Sequence, residues 1–167
     1  MNKYYIKYIS LLPFFVLLQI IVLNEILFFT YINPYLYLAL IISLPLQSRK
    51  WFLLIYAFLI GFFIDLFWGS LGFHSTATVL IAFIKPTISK IAIPYNIIED
   101  TDEITFKKVG GKSFIVFALI IILIHNTVLF GLEHLHFNFF IFGKIIASSL
   151  VTLMLVLILE IFKSSKK

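Results

Sequence analysis

The sequence contains no cysteine, and only 13% of its residues are charged. The absence of cysteine excludes disulfides, thiol catalysis and cysteine-ligated metals. The scarcity of charge, together with a hydrophobic content of 62% and a mean hydropathy of +1.09, leaves too little polar surface for a water-soluble globular domain. These values predict an integral membrane protein built from helices.

The sequence also lacks the common catalytic patterns. It has no H-E-x-x-H motif, no glycine-rich phosphate loop followed by lysine and serine or threonine, and no serine with a plausible catalytic base. Glu133, His134 and His136 lie close together but have no matching cluster of ligands elsewhere. We therefore predict no enzymatic activity, no metal and no cofactor.

Apolar runs divide the chain into six segments. We predict an all-α membrane protein with one transmembrane domain over residues 1–167. The predicted helices cover residues 8–27, 34–47, 51–68, 73–93, 113–132 and 139–162. The first is expected to be retained as a helix, and the second is short, with Asn33-Pro34 as N-cap and first helical residue. The hydrophilic residues 94–112 are predicted to form a loop outside the membrane.

The distribution of basic residues predicts the orientation of these helices. Six crossings place both termini on one side of the membrane, and 13 basic residues are present. All of them except Lys144 fall on the side of the termini. The positive-inside rule then predicts that both termini and residues 94–112 are cytoplasmic. Because the basic residues are scattered in ones and twos beside apolar runs, no nucleic-acid binding is expected.

Asp65 is an acidic residue inside the apolar run "GFFIDLFWGSLGFHS". At about 1.5 Å per residue it lies roughly 21 Å beyond Trp51, in the outer part of the bilayer, with Glu25 at a similar height. One interpretation is that its carboxylate accepts hydrogen bonds from the turn at residues 69–75 and from N–H groups that open the fourth helix. The other is that it lines a cavity or meets a partner helix. Both interpretations of Asp65 can be correct at the same time.

Glycines and a proline surround this position. Gly61 lies one turn before Asp65 and allows close approach of another backbone. Gly69 and Gly72 are typical of a tight turn. Pro86 is expected to bend the fourth helix.

Three further polar residues lie inside predicted helices. Lys85 is expected to extend towards the cytoplasmic interface and not to pair with Asp65. His125 and Asn126 are expected to form an interhelical hydrogen bond, with proton relay or ligand contact as the alternative.

The chain resembles the MreD family of rod shape-determining membrane proteins. The resemblance lies in Asn33-Pro34, Gly61-x-x-x-Asp65, Gly69-x-x-Gly72 and Lys85-Pro86 within a small six-helix protein. It implies a non-enzymatic scaffold of the bacterial inner membrane that binds an MreC-type bitopic protein. With an MreB-type actin homologue and the elongation glycosyltransferase and transpeptidase, such a scaffold organises peptidoglycan synthesis and maintains rod shape.

The resemblance also carries expectations for individual residues. It implies that the motif residues are structural or partner-binding and not catalytic; they are Gly61, Asp65, Gly69, Gly72 and Pro86. Lys85 is a less secure match, because a lysine is not expected there throughout the family.

An alternative follows from the fold that the family is thought to share with substrate-binding S-components of energy-coupling factor transporters. Such a subunit would bind a vitamin or metal in an outward-facing pocket, which Glu25, Asp65, His125 and Asn126 could line. The spans offer few convergent polar groups and the outer loops are short for a lid. These features favour the scaffold.

Overall fold

A computed structural model describes residues 3–23, 32–46, 48–99, 103–134 and 138–165. These residues form helices joined by short connections, without a β-strand among them, which confirms the predicted all-α class. The elements are α1 (Lys3–Leu18) continued by a π-helical turn (Gln19–Leu23), α2 (Leu38–Ser43), α3 (Lys50–Trp68), α4 (Phe73–Ala92), α5 (Tyr95–Glu99), α6 (Phe106–Val109), α7 (Gly111–His134) and α8 (Phe139–Ser165).

Within the described residues, four helical stretches are long and apolar enough to cross a membrane. They cover Tyr5–Leu23, Lys50–Trp68, Gly111–His134 and Phe139–Lys163. Each has 19 to 25 residues, close to the roughly 20 that a helix needs to cross the hydrocarbon core. The described part of the chain therefore has the character of a helical membrane protein.

Helix α4 is as long as these stretches but more polar. It has 20 residues and packs between α3 and α7. Its polar side chains include His74, Thr78, Lys85 and Ser89, all of which are buried. The polar face of α4 is thus directed into the bundle. On either side of this core, α8 packs on α7 and α1 packs on α3.

The second segment differs from the helix predicted over residues 34–47. The structure has a helix only at Leu38–Ser43, and residues 33–35 have no regular structure, so Asn33-Pro34 does not begin the helix. Every residue of α2 is buried. Gln47 lies outside the described residues.

Side chains from the flanking helices replace the missing helical hydrogen bonds of this segment. The Leu36 N–H donates to Gln19 Oε1 over 2.9 Å, and Gln19 Nε2 donates to the Pro34 carbonyl over 2.8 Å. The Tyr35 N–H donates to Thr152 Oγ1 of α8 over 3.1 Å. Buried backbone polar groups need such partners, and these bonds explain how a non-helical backbone is stable inside the bundle.

Residues 94–112, predicted as a loop, contain α5, α6 and the start of α7. Helix α6 packs on α7 and α8, and Ile104 and Val109 are buried. These apolar side chains attach the segment to the end of the bundle, and the predicted position outside the membrane stays a prediction.

The first helix was predicted to extend to residue 27, beyond the π-helical turn that the structure describes. Its last residues and Glu25 lie outside the described residues.

Candidate functional site

The Asp65 carboxylate caps the beginning of α4 from the end of α3. Its Oδ1 accepts the His74 N–H over 3.0 Å, and its Oδ2 accepts the Ser75 N–H over 2.8 Å. The hydroxyls of Ser70 and Ser75 also donate to Oδ1 and Oδ2, respectively. Gly72, the N-cap residue of α4, has no side chain that could do this. Asp65 therefore satisfies two of the amide groups that a helix N-terminus leaves unpaired.

This hydrogen bonding is the first of the two arrangements expected from the sequence. The side chain of Asp65 is only 6% exposed, and four donors surround its two oxygens. A carboxylate in apolar surroundings is stable when such donors surround it.

The turn that brings Asp65 to α4 depends on two glycines in the left-handed region. Gly69 has φ of 70° and ends α3, where its N–H donates to the Asp65 carbonyl. Gly72 has φ of 86° and begins α4. Residues with a Cβ adopt this conformation at a cost of about 1–2 kcal/mol, which explains glycine at both positions.

At Gly61, the backbones of α3 and α4 approach each other closely. A Cβ placed there would lie 2.4 Å from Ser75 Cα, 2.5 Å from Ser75 N and 2.6 Å from Thr78 Oγ1. The first two are backbone atoms of α4, so no side-chain rotation can relieve the overlap. Gly61 and Asp65 thus fix the same residue, Ser75, by contact and by hydrogen bonds.

Lys85 lies inside the bundle, and the expectation that it extends to the cytoplasmic interface was wrong. Its side chain is 1% exposed, and Nζ donates to the carbonyl of Ile41 over 2.8 Å and to that of Leu44. These carbonyls end α2, where a helix leaves acceptors unpaired. The short α2 therefore ends near enough to bind Lys85, which needs neither water nor a carboxylate. Pro86 follows Lys85 within α4, which continues beyond it to Ala92.

A chain of buried polar side chains joins α2, α4, α7 and α8. The Tyr37 hydroxyl lies 3.0 Å from His74 Nδ1 and 3.0 Å from His125 Nε2. His125 Nδ1 lies 3.1 Å from Asn126 Oδ1, and Asn126 Nδ2 donates to Ser149 Oγ over 2.9 Å. His125 and Asn126 thus form the interhelical bonds expected from the sequence.

The donor and acceptor roles in this chain follow from proton counting. Because Asn126 Oδ1 can only accept, His125 Nδ1 carries a proton and, in the neutral ring, Nε2 accepts the Tyr37 hydroxyl. The Tyr37 oxygen then accepts the Nδ1 proton of His74. Every contact is satisfied by neutral rings, so the chain requires no buried charge.

The sequence analysis did not identify Tyr37, His74 or Gln19 as members of these networks. A tyrosine and a glutamine within apolar segments were the available signals. Their partners lie up to 88 residues away, so the partners could not be assigned without the fold.

A groove of about 520 Å³ opens on the surface between α3 and α4. Ser75, which Asp65 and Gly61 fix, contributes to its wall. The other residues that line it are Leu54, Phe58, Thr76, Val79, Leu80 and Phe83. Phe58 is 46% exposed and Phe83 is 71% exposed, so the groove presents apolar side chains outward.

No protein-family model, curated protein or solved structure matches this chain. The resemblance to the MreD family therefore remains a prediction from the residues named above.

Proposed function

We propose that the chain is a non-enzymatic scaffold of the bacterial inner membrane that binds the membrane-crossing helix of an MreC-type bitopic protein. Through this partner it contributes to organising peptidoglycan synthesis during cell elongation and to maintaining rod shape. An MreB-type actin homologue and the elongation glycosyltransferase and transpeptidase belong to the same proposed assembly.

The observation that carries the proposal is the groove between α3 and α4 and the way its wall is fixed. The two helices touch through backbone at Gly61 and are joined at one end by Asp65. A groove of about 520 Å³ accommodates side chains from one face of a helix. Helix association in membranes depends on close packing, and a rigid surface reduces the ordering that binding requires.

The polar residues are satisfied within the fold, which favours a scaffold over a solute-binding subunit. Asp65 binds the start of α4, and His125 and Asn126 bind Tyr37 and Ser149. A solute that used one of these side chains as a ligand would displace a bond and leave its partner unpaired. The S-component-like function remains the alternative.

The proposal includes six crossings with both termini in the cytoplasm. The length of α4 and its packing between α3 and α7 support a fifth crossing. The buried segment at residues 34–43 supports a sixth, because non-helical backbone within a membrane is tolerated when protein surrounds it. A reporter fused after Lys167 should read as cytoplasmic. A periplasmic signal would contradict this topology.

Affinity purification from gently solubilised native membranes tests the partner. Mass spectrometry should identify an MreC-type bitopic protein and elongation enzymes. Leu80→Trp fills the groove and should abolish this recovery, whereas Leu150→Trp, on an exposed position of α8, should preserve it. Recovery of a coupling membrane protein with paired ATPases would establish the alternative and refute the scaffold.

A further inference from the structure

An apolar cleft of about 420 Å³ lies between α1 and α8 and is floored by α2. Helix α1 packs on α2 and α3, whereas α8 packs on α6 and α7. The cleft therefore separates the part of the bundle around α1 from the part around α8. The apolar residues that line it include Leu11, Phe15, Leu18, Leu36, Leu40 and Leu159.

One end of this cleft is basic. Lys7 and Lys163 line it and also line an adjoining cavity of about 260 Å³. Lys107 and Lys108 of α6 line the same adjoining cavity. Four lysines from three helices thus surround the place where the two cavities meet.

Two glutamates hold Lys7 and Lys163, the inner pair of these lysines, in position. Lys7 Nζ donates to Glu103 Oε1 over 2.8 Å, and Lys163 Nζ donates to Glu160 Oε1 over 2.7 Å. The carboxylate side chains are 12% and 4% exposed, whereas the lysine side chains are 44% and 39% exposed. An ammonium has three donors, and each of these uses one on its glutamate. The remaining N–H donors of each ammonium can bind a second anion.

Lys107 and Lys108, the outer pair of lysines, add positive charge that these glutamates do not neutralise. Lys107 and Lys108 are exposed and form no ion pair within the described part of the chain. Among the described residues that line this end of the cleft, four lysines outnumber two glutamates, so these residues together carry a net positive charge.

We propose that this cleft binds an anionic phospholipid, with one acyl chain along α2 and the phosphate among the four lysines. The volume suits a hydrocarbon chain: at about 30 Å³ for a group the size of a water molecule, the cleft holds about a dozen such groups. The basic end selects an anionic headgroup over a zwitterionic one, as lysine clusters beside membrane helices do.

Lipid binding in the cleft does not depend on the protein partner, because the cleft and the groove between α3 and α4 share no lining residue. It also does not depend on the orientation of the protein in the membrane. It is tested on the purified chain in detergent, with native mass spectrometry as the measure of bound lipid. The probes are phosphatidylglycerol, phosphatidylcholine with the same acyl chains, and glycerol phosphate as a headgroup without chains.

Phosphatidylglycerol should bind at least about tenfold more tightly than phosphatidylcholine. Lys107→Gln with Lys108→Gln should weaken its binding by about fivefold for each lysine, or about 25-fold together. Both side chains are exposed, so the variant is expected to fold. The matched control, Lys50→Gln with Lys90→Gln, removes the same charge from exposed positions outside both cavities and should leave binding unchanged.

Three results would overturn the inference. The first is equal binding of the two phospholipids, and the second is an equal loss in the control variant, which would indicate attraction to net charge alone. The third is displacement of phosphatidylglycerol by an equimolar amount of glycerol phosphate, which would show that the apolar cleft contributes nothing.

Discussion

Replacing Asp65 with leucine should destabilise the protein by removing the carboxylate that caps the start of α4. The change leaves the His74 and Ser75 N–H groups without their acceptor at a buried helix start. The hydroxyls of Ser70 and Ser75 can rotate towards other acceptors, but backbone amides cannot. Each buried unpaired amide costs about 1–3 kcal/mol, so we expect a loss of about 2–6 kcal/mol. This is a large part of a typical folding free energy of about 5–15 kcal/mol.

Asp65→Asn should lose about half as much. Its single amide oxygen can accept one of the two backbone N–H groups, and its NH₂ group then faces the other. Ser70→Ala removes one hydroxyl and leaves both backbone bonds to Asp65 intact, so we expect a loss below about 1 kcal/mol.

Thermal unfolding in detergent, followed by tryptophan fluorescence, measures this series. The expected order of stability is wild type, Ser70→Ala, Asp65→Asn and then Asp65→Leu. Partner recovery should decrease in the same order, because Ser75 lines the groove. The reasoning is refuted if Asp65→Leu unfolds at the wild-type temperature, or if Asp65→Asn is as damaging as Asp65→Leu.

Three further substitutions test other contacts in the bundle, each by the same unfolding measurement. Gly61→Ala should cost about 3 kcal/mol or more, because the added methyl overlaps backbone atoms of Ser75; wild-type stability would mean that α3 and α4 are not in contact there. Lys85→Met should lose about 2–6 kcal/mol by leaving the buried carbonyls of Ile41 and Leu44 unpaired, with hydrogen exchange increasing in α2 and not in α7; unchanged exchange in α2 would contradict the capping role. Tyr37→Phe should lose about 2 kcal/mol, because a histidine donor and a histidine acceptor both lose their partner; an unaffected unfolding temperature would show that this hydroxyl is dispensable.

The sequence was informative where the relevant contacts are local. The bonds of Asp65 reach donors only 5 to 10 residues away, across a turn that the glycines mark. Helix α3 was predicted over residues 51–68 and is observed at Lys50–Trp68, because an apolar run that contains only one charged residue, Asp65, lies between a basic pair and a glycine that mark its two ends.

The sequence was misleading where contacts between distant segments determine the structure. Lys85 was expected at the interface because its acceptors, 41 and 44 residues away, belong to a helix end that only the fold places beside it. A helix was predicted from Pro34, with Asn33 as its N-cap, because Asn-Pro commonly begins a helix. The backbone of residues 33–35 instead bonds to side chains such as Thr152, and local patterns cannot reveal this.

The central claim is that the groove between α3 and α4 binds the transmembrane helix of a bitopic partner, and site-specific crosslinking in native membranes tests it most directly. Because the chain contains no cysteine, one introduced at Leu80 is the only thiol and can carry a photoreactive probe. A probe at Leu80 should crosslink to the membrane segment of an MreC-type protein, and the Asp65→Leu change should reduce this yield. A probe at Leu150 of α8 should give no such product. Crosslinking of equal yield from both positions, or of no bitopic protein from Leu80, would contradict the account.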